Sequence, residues 1–282
     1  MMLVGVLGKK EDINLKVDGI IINLKGFSAT KIRAYSLKTV NSLINAIHKL
    51  NKKSYLNLNR LYHEEEMERL KEILPLISDN LDGILFMDLG LVELVPSLKD
   101  KLIYNPLTFN TCVLDSDFLK ELNIQGMIIS KDITLEDIKS FKGKDMVLGY
   151  IGHGYQQIFY SKRKFLTYFY EYKNLVNKPG KKYLIEQLRD EKHPIFEDTF
   201  GTYVYSAKKL SSFNEFNELR FLDLFIIARE FLSDEEYLET IDFYNNLKDG
   251  IKDEKYILKY QDSCDTGFYY HETLLKVGDK SE

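Results

Sequence analysis

The feature that most constrains this chain is a rhythm. Short apolar runs recur at Leu3–Leu7, Gly19–Leu24, Ser54–Asn59, Gly83–Met87, Leu102–Tyr104, Gly126–Ser130, Met146–Tyr150 and Leu222–Ile227, and segments with helical spacing lie between them. A run that is apolar on both faces belongs to a strand buried on both sides, which is the habit of parallel sheets. The segments between supply the helices. Leu37, Val40, Leu43, Ile44, Ile47 and Leu50 fall on one face of a helix over 37–50, with Ser36 placed to cap it. Met67, Leu70, Ile73, Leu74 and Ile77 do the same over 64–77. Shorter helices are predicted over 90–98 and 115–122. Thr134 with Asp137, and Ser233 with Glu236, have the spacing of capping boxes that open two more helices. Eight strands alternating with helices predict an α/β fold, a closed TIM-like (β/α)8 barrel. The segment after the first strand is too short for a full helix, so the barrel is expected to lack its first one.

Two stretches break the rhythm. Residues 155–215 are expected as an insertion between strands seven and eight, with a helix-like aromatic and basic segment over Gln156–Tyr172, a turn at Pro179–Gly180 and extended structure over Lys182–Tyr205. Residues 251–282 are expected as a C-terminal β extension, because Tyr256–Val277 alternates polar and apolar residues. The whole of 1–282 reads as one domain.

Composition removes several functional classes. The chain has two cysteines, Cys112 and Cys264, and no CxxC pair. A disulfide framework, a zinc ribbon or an iron–sulfur site held by this chain alone is therefore not expected. A net charge of −4 argues against a surface that grips nucleic acid everywhere, though not against a local basic patch. No apolar run approaches the roughly 20 residues of a membrane helix, and the start MMLVGVLGKK is too quickly charged for a signal peptide, so a cytoplasmic protein is expected. There is no GxSxG and no HExxH; His63–Glu64 lacks a second zinc histidine.

Candidate site residues follow from the barrel. The C-terminal ends of its strands face the active-site cavity. They carry Asn23, Lys25, Asn59, Asp88, Asn105, Ser130, Lys131, His153 and Arg229, a mostly neutral or cationic ring that suits a small anion. His153 stands between two glycines, where backbone can approach a ligand; a buried histidine bonded to a neighbour is the alternative. Within the insertion, Glu186, Arg189, Glu197 and Asp198 can serve as catalytic groups or as ion pairs that pin the segment. Tyr160, Lys162, Arg163 and Lys164 mix aromatic and basic side chains, a pattern that contacts RNA or a protein partner and equally describes an amphipathic helix.

Three blocks carry a family resemblance. The first is Gly152–His153–Gly154 with Tyr160–Ser161–Lys162–Arg163. The second is Glu186–Gln187–Leu188–Arg189, Pro194, Glu197–Asp198 and Gly201–Thr202–Tyr203. The third is Thr266–Gly267–Phe268 with Lys276–Val277. Together they resemble peptidase family U32 along nearly the whole chain. The resemblance implies a barrel and two kinds of activity: collagenase-like proteolysis, which is the family's usual label, or prephenate-dependent hydroxylation of the tRNA wobble uridine. It also implies a heteromer with a longer, cluster-bearing paralogue, in which this chain binds no cofactor alone and tRNA is a possible partner, or a purely structural role beside that paralogue. Longer relatives place cluster cysteines where this chain has Gln157 and Lys164, and the family's basic run near strand eight is reduced to Ile226–Ile227–Ala228–Arg229.

Overall fold

A computed structural model describes residues 1–77, 80–188 and 190–271. Seven strands follow one another in parallel: β1 (Met2–Val6), β2 (Gly19–Asn23), β3 (Lys53–Leu58), β4 (Gly83–Phe86), β5 (Leu102–Tyr104), β6 (Gly126–Ile128) and the first half of β7 (Val147–Ser161). After them come β8 (Lys182–Ile185), β9 (Lys192–Asp198) and β10 (Gly201–Ser211), and then β11 (Leu224–Ile227), the eighth barrel strand. β11 pairs in parallel with both β1 (Val4 opposite Ile226) and β7 (Ile151 opposite Ile226), which closes the barrel. Closure leaves no exposed barrel edge.

Outside the barrel lie α1 (Leu37–Lys49), α2 (Glu64–Ile73), α3 (Gly90–Leu94), α4 (Val113–Glu121) and α5 (Leu135–Lys139). They are followed by α6 (Phe165–Tyr172) in the insertion, then α7 (Asp234–Lys248) and α8 (Glu254–Tyr260). Only a 3-10 turn over Lys10–Asn14 joins β1 to β2, so the first barrel helix is indeed missing. Alternation along each strand separates two cores. Val4, Val6, Ile21, Leu85, Ile103, Ile128 and Ile226 fill the interior. Leu3, Ile20, Ile22, Leu56, Phe86 and Phe225 face the helices. The predicted caps form: Thr134 Oγ1 accepts the Asp137 N–H, and Ser233 Oγ accepts the Glu236 N–H. Ser36 instead bonds the Thr39 hydroxyl.

The insertion departs from its reading. Residues 156–161 are strand, not helix. β7, 15 residues long in all, runs on out of the barrel and pairs antiparallel with β10, from His153 opposite Ser211 to Ser161 opposite Thr202. The reason is tertiary: Tyr160 stacks on buried Tyr203 with ring centroids 5.0 Å apart, and Tyr203 stacks in turn on Phe196 of β9 at 4.7 Å. Cross-strand aromatic pairs of this kind override a helical spacing. Helix begins only at Phe165, where the Glu197 carboxylate accepts the N–H groups of Leu166 and Thr167.

The C-terminal reading is also corrected. Residues 254–260 are helical (α8), because Tyr256 stacks on Phe243 of α7 at 4.4 Å. Among the described residues the extension contributes one strand, the two-residue β12 (Cys264–Asp265), parallel to β10. The remainder of the predicted extension, 272–282, lies outside the described residues. Among the described residues no helix is long and apolar enough to cross a membrane.

The β9–β10 turn depends on one glycine. Gly201 has φ +148°, and a Cβ there would stand 2.0 Å from the carbonyl oxygen of Ser161. Gly201→Ala is expected to cost about 3 kcal/mol, since it adds a clash with backbone to a disfavoured conformation. Denaturant titration of the variant checks this; an unshifted midpoint refutes it.

A candidate binding cavity at the mouth of the barrel

The C-terminal ends of the barrel strands open into a cavity of about 880 Å³, measured out to its open mouth. Val6, Ile21, Leu85, Ile128 and Ile226 of the interior core, with the partly buried Ile151 packed against them, form its apolar floor. The antiparallel sheet of the insertion leans over it and brings Tyr155, Gln156, Gln157 and Tyr205 into the wall.

The polar lining is dominated by amides. Asn57 donates to the Asn23 side chain (2.8 Å). Asn59 both donates to and accepts from the backbone of Ala29 (2.9 Å each), which ties the loop after β2 to the mouth. Gln156 donates to the carbonyls of Ile151 and Gly154. Gln157 is 8% exposed; its oxygen receives the Tyr205 hydroxyl at 3.4 Å, and its buried Nε2 has no partner. A buried amide donor left unpaired is costly, so it marks a place where a ligand acceptor would be welcome. One lysine and one glutamate complete the wall. Lys131 donates to the Leu107 carbonyl (3.0 Å) and Asp132 (2.8 Å). Glu230 accepts from the Thr30 hydroxyl (3.1 Å), and burial holds its carboxyl above the usual carboxylate range.

Of the residues expected here from the sequence, Asn59, Asn105, Ser130 and Lys131 line the cavity. Asn105 and Ser130 are buried, and Ser130 Oγ accepts the Asp132 N–H at 3.2 Å. Asp88 caps local backbone, accepting from Tyr62 and Gly90.

Arg229 is elsewhere. Its guanidinium donates to Asp12 and Asp234 at 2.5 Å each and lies 4.6 Å from the Tyr237 ring centroid, so its charge is spent inside the protein. His153 is also turned away. Ile226 pairs with Ile151, but Ile227 pairs with His153, so Gly152 is an extra residue in β7. One extra residue reverses the facing of everything after it. His153 therefore packs outward against Phe213 and Tyr244, fully buried, with Nδ1 3.1 Å from the Tyr244 hydroxyl. Burial, and then the charge of Lys209, push its imidazole down to about 3. With Arg229 and His153 absent from the wall, the cavity is amide-rich and near neutral, not the cationic ring expected from the strand ends.

The insertion residues scatter. Glu197 caps α6 and also receives the Thr202 hydroxyl at 3.0 Å. Asp198 accepts the Phe200 N–H at 2.8 Å within the β9–β10 turn. Glu186 is exposed beyond β8, and Arg189 lies outside the described residues. Tyr160 is in the aromatic stack; Lys162 is half-buried near Glu66 and Arg60, and burial lowers its ammonium. Arg163 and Lys164 are exposed. Sequence reading missed Gln156, Glu230 and Asn57. The i, i+2 spacing of Asn57 and Asn59 was a usable signal, since both follow the same face of β3.

Nucleophilic chemistry finds no support in the geometry. Ser54, His48 and Asp82 do meet, but the serine (3.1 Å) and the aspartate (2.8 Å) both contact the same ring nitrogen, Nε2. A relay needs opposite nitrogens. This group also lies at the start of β3, the end away from the cavity. Cys264 is buried and its thiol is pushed up to about 11, chiefly by burial; Cys112 is exposed at the start of α4. Gln157 and Lys164 do not fit an iron–sulfur cluster, which needs thiolates. Among the described residues no group of three or more His, Cys, Asp or Glu side chains could hold a metal ion.

Comparison with known proteins adds a family and several relatives. The model of peptidase family U32 matches residues 9–272. The tRNA hydroxylation protein P2 of Bacillus subtilis (strain 168) is 24% identical over 269 residues, covering 85% of this chain and 86% of that protein. The 23S rRNA 5-hydroxycytidine C2501 synthase of Escherichia coli (strain K12) is 22% identical over 162 residues, 56% of this chain and 24% of that protein. The uncharacterized protease MJ0090 of Methanocaldococcus jannaschii is 25% identical over 93% of this chain and 70% of that protein.

Proposed function

Since the chain belongs to peptidase family U32, whose members include proteins of RNA hydroxylation, we propose that it is a factor in tRNA hydroxylation rather than a peptidase. The observation that carries this reading is the extent of the likeness to tRNA hydroxylation protein P2, which spans 85% of one chain and 86% of the other. The cavity supports it. Amide side chains offer donor and acceptor together, as the edge of a nucleobase does, and Tyr155 and Phe109 stand in the same wall to cover a base face. A base can enter such a pocket only by leaving its stack, which an anticodon loop allows at little cost. The wobble uridine is the base that the family resemblance implies.

The chain acts in this scheme as one subunit of a pair. It lacks thiolates at the cluster positions, so the cluster belongs to a longer U32 paralogue. The insertion offers that partner an apolar face: Tyr168, Phe169 and Tyr172 of α6 are 56%, 51% and 80% exposed. Prephenate, also implied by the resemblance, is an anion, and Lys131 is the cation of the cavity wall that would meet it.

The test is nucleoside mass spectrometry of tRNA from a deletion strain. The hydroxylated wobble uridine should fall to background and return when the gene is restored together with the longer paralogue. Undiminished hydroxylation in the deletion strain ends this reading. Restoration by this chain in a strain lacking the paralogue ends the two-subunit scheme.

A further inference from the structure

A second cleft lies beside the first. It is open to solvent, bounded by the loop after β2 and by the insertion, and lined in part by Thr30, Lys31, Asn177, Lys182, Glu197 and Asp198. One thin wall separates the two spaces. Thr30 lines the second cleft and donates to Glu230, which lines the first. Phe196 lines the second and stacks on Tyr205, which lines the first, at 6.1 Å.

The charges in this cleft are unusual. Lys31 comes from the loop after β2 and Lys182 from the start of β8, yet both line this cleft, and Lys181 precedes Lys182 in the chain. Burial first, then the charges of Lys181 and Lys182, hold the Lys31 ammonium below the usual lysine range. Among the described residues none of the three has a carboxylate within salt-bridge distance. Lys31 rests over the Phe231 ring at 5.1 Å, and Lys182 donates to the Lys178 carbonyl at 2.8 Å. The two acids of the cleft are engaged otherwise: Glu197 by the start of α6, and Asp198 by the Phe200 N–H. The two carboxylates of the lining are thus already supplied with donors, whereas the two ammonium groups, lacking a carboxylate partner among the described residues, keep N–H donors for an outside anion.

We propose that this cleft binds a phosphate of an RNA backbone through Lys31 and Lys182, next to a base held in the barrel mouth. The proposal rests on the RNA reading above. A base extruded into a pocket leaves its own phosphates outside, and here a cleft with two lysines that lack a carboxylate partner among the described residues adjoins the pocket across the Thr30–Glu230 wall. The separation gives each space its own chemistry, with near-neutral amides for the base and ammonium groups for the backbone.

The experiment is the salt dependence of binding between the full chain and a short fluorescent oligouridine. Single-stranded contacts each contribute about 0.7 to the slope of log K against log salt. The double variant Lys31→Gln/Lys182→Gln should therefore lower the slope by about 1.4 and weaken binding roughly tenfold at low salt. Lys31→Arg/Lys182→Arg should keep the slope. Lys49→Gln/Lys71→Gln removes the same charge from exposed positions on α1 and α2 and should change nothing. An unchanged slope in the first variant, an equal loss in the remote one, or no binding by the wild type at low salt overturns the proposal. Calorimetry with inorganic phosphate separates the sources of the anion: tight phosphate binding lost in the double variant, with oligouridine binding untouched, would make this a free-phosphate site and refute the RNA assignment. An unchanged slope alongside loss of the hydroxylated nucleoside in the deletion strain refutes the cleft alone. A lowered slope alongside undiminished hydroxylation refutes the hydroxylation reading alone.

Discussion

Arg229→Met should destabilise the protein by about 3–5 kcal/mol while leaving the walls of the cavity intact. The guanidinium is 6% exposed and its first partner, Asp12, is 5% exposed, so removing the arginine strands a buried carboxylate. The second partner, Asp234, is 59% exposed and would be rescued by water, so Asp12 sets the cost. Asp12 keeps two backbone donors, Gly8 (2.9 Å) and Lys9 (2.7 Å), which argues for the lower part of the range. Denaturant titration of the single variant and of Arg229→Met/Asp12→Leu is the check. The double variant should recover much of the loss, because replacing both members of a buried pair by apolar groups is close to neutral. A single variant as stable as the wild type would mean that Arg229 is not the clamp described here.

His153→Gln should change how stability responds to acid. The folded protein keeps this imidazole neutral down to about 3, because it is buried and has no room for hydration. The unfolded chain takes up the proton near pH 6.5. The folded-state value is thus depressed, so the stabilisation is complete above pH 6.5 and is lost as pH falls from there toward 3, by about 1.4 kcal/mol per unit. Between pH 6.5 and 5 the wild type should lose about 2 kcal/mol through this residue, and the glutamine variant none of it. Carboxylates that titrate in the same range act on both proteins and cancel in the difference. Parallel stability–pH curves would show that the histidine is protonated in the fold, and with that its burial against Tyr244 would fall. The same variant tests the barrel-mouth reading of His153, since a residue outside the cavity should not be needed to bind oligouridine.

Much of the architecture was legible because it is written in short-range patterns. Both-sided apolar runs identify parallel strands without knowledge of their partners, and the capping spacings at Thr134 and Ser233 need only four consecutive residues. Asn59, Asn105 and Ser130 reach the cavity because strand ends point there in any closed barrel. The insertion was legible as an interruption and illegible in detail. Its aromatic residues recur at intervals a helix could use, but their stacking partners, Tyr203 and Phe196, lie dozens of residues away, and only the β7–β10 pairing reveals them.

The sequence by itself determined the alternation of strands and helices, the missing first helix and the presence of only two cysteines, because each is a property of neighbouring residues or of composition. Only the tertiary structure decided which polar residues face the cavity. A single extra residue at Gly152 turns His153 from the mouth into the outer core, since side chains alternate strictly along a strand. Arg229 is withdrawn from the ring by Asp12, a partner more than two hundred positions away. Gln157 enters the wall because the β7–β10 sheet folds back over the barrel. Lys31 and Lys182 come to line one cleft for the same reason: the fold alone brings together charges that the chain keeps far apart.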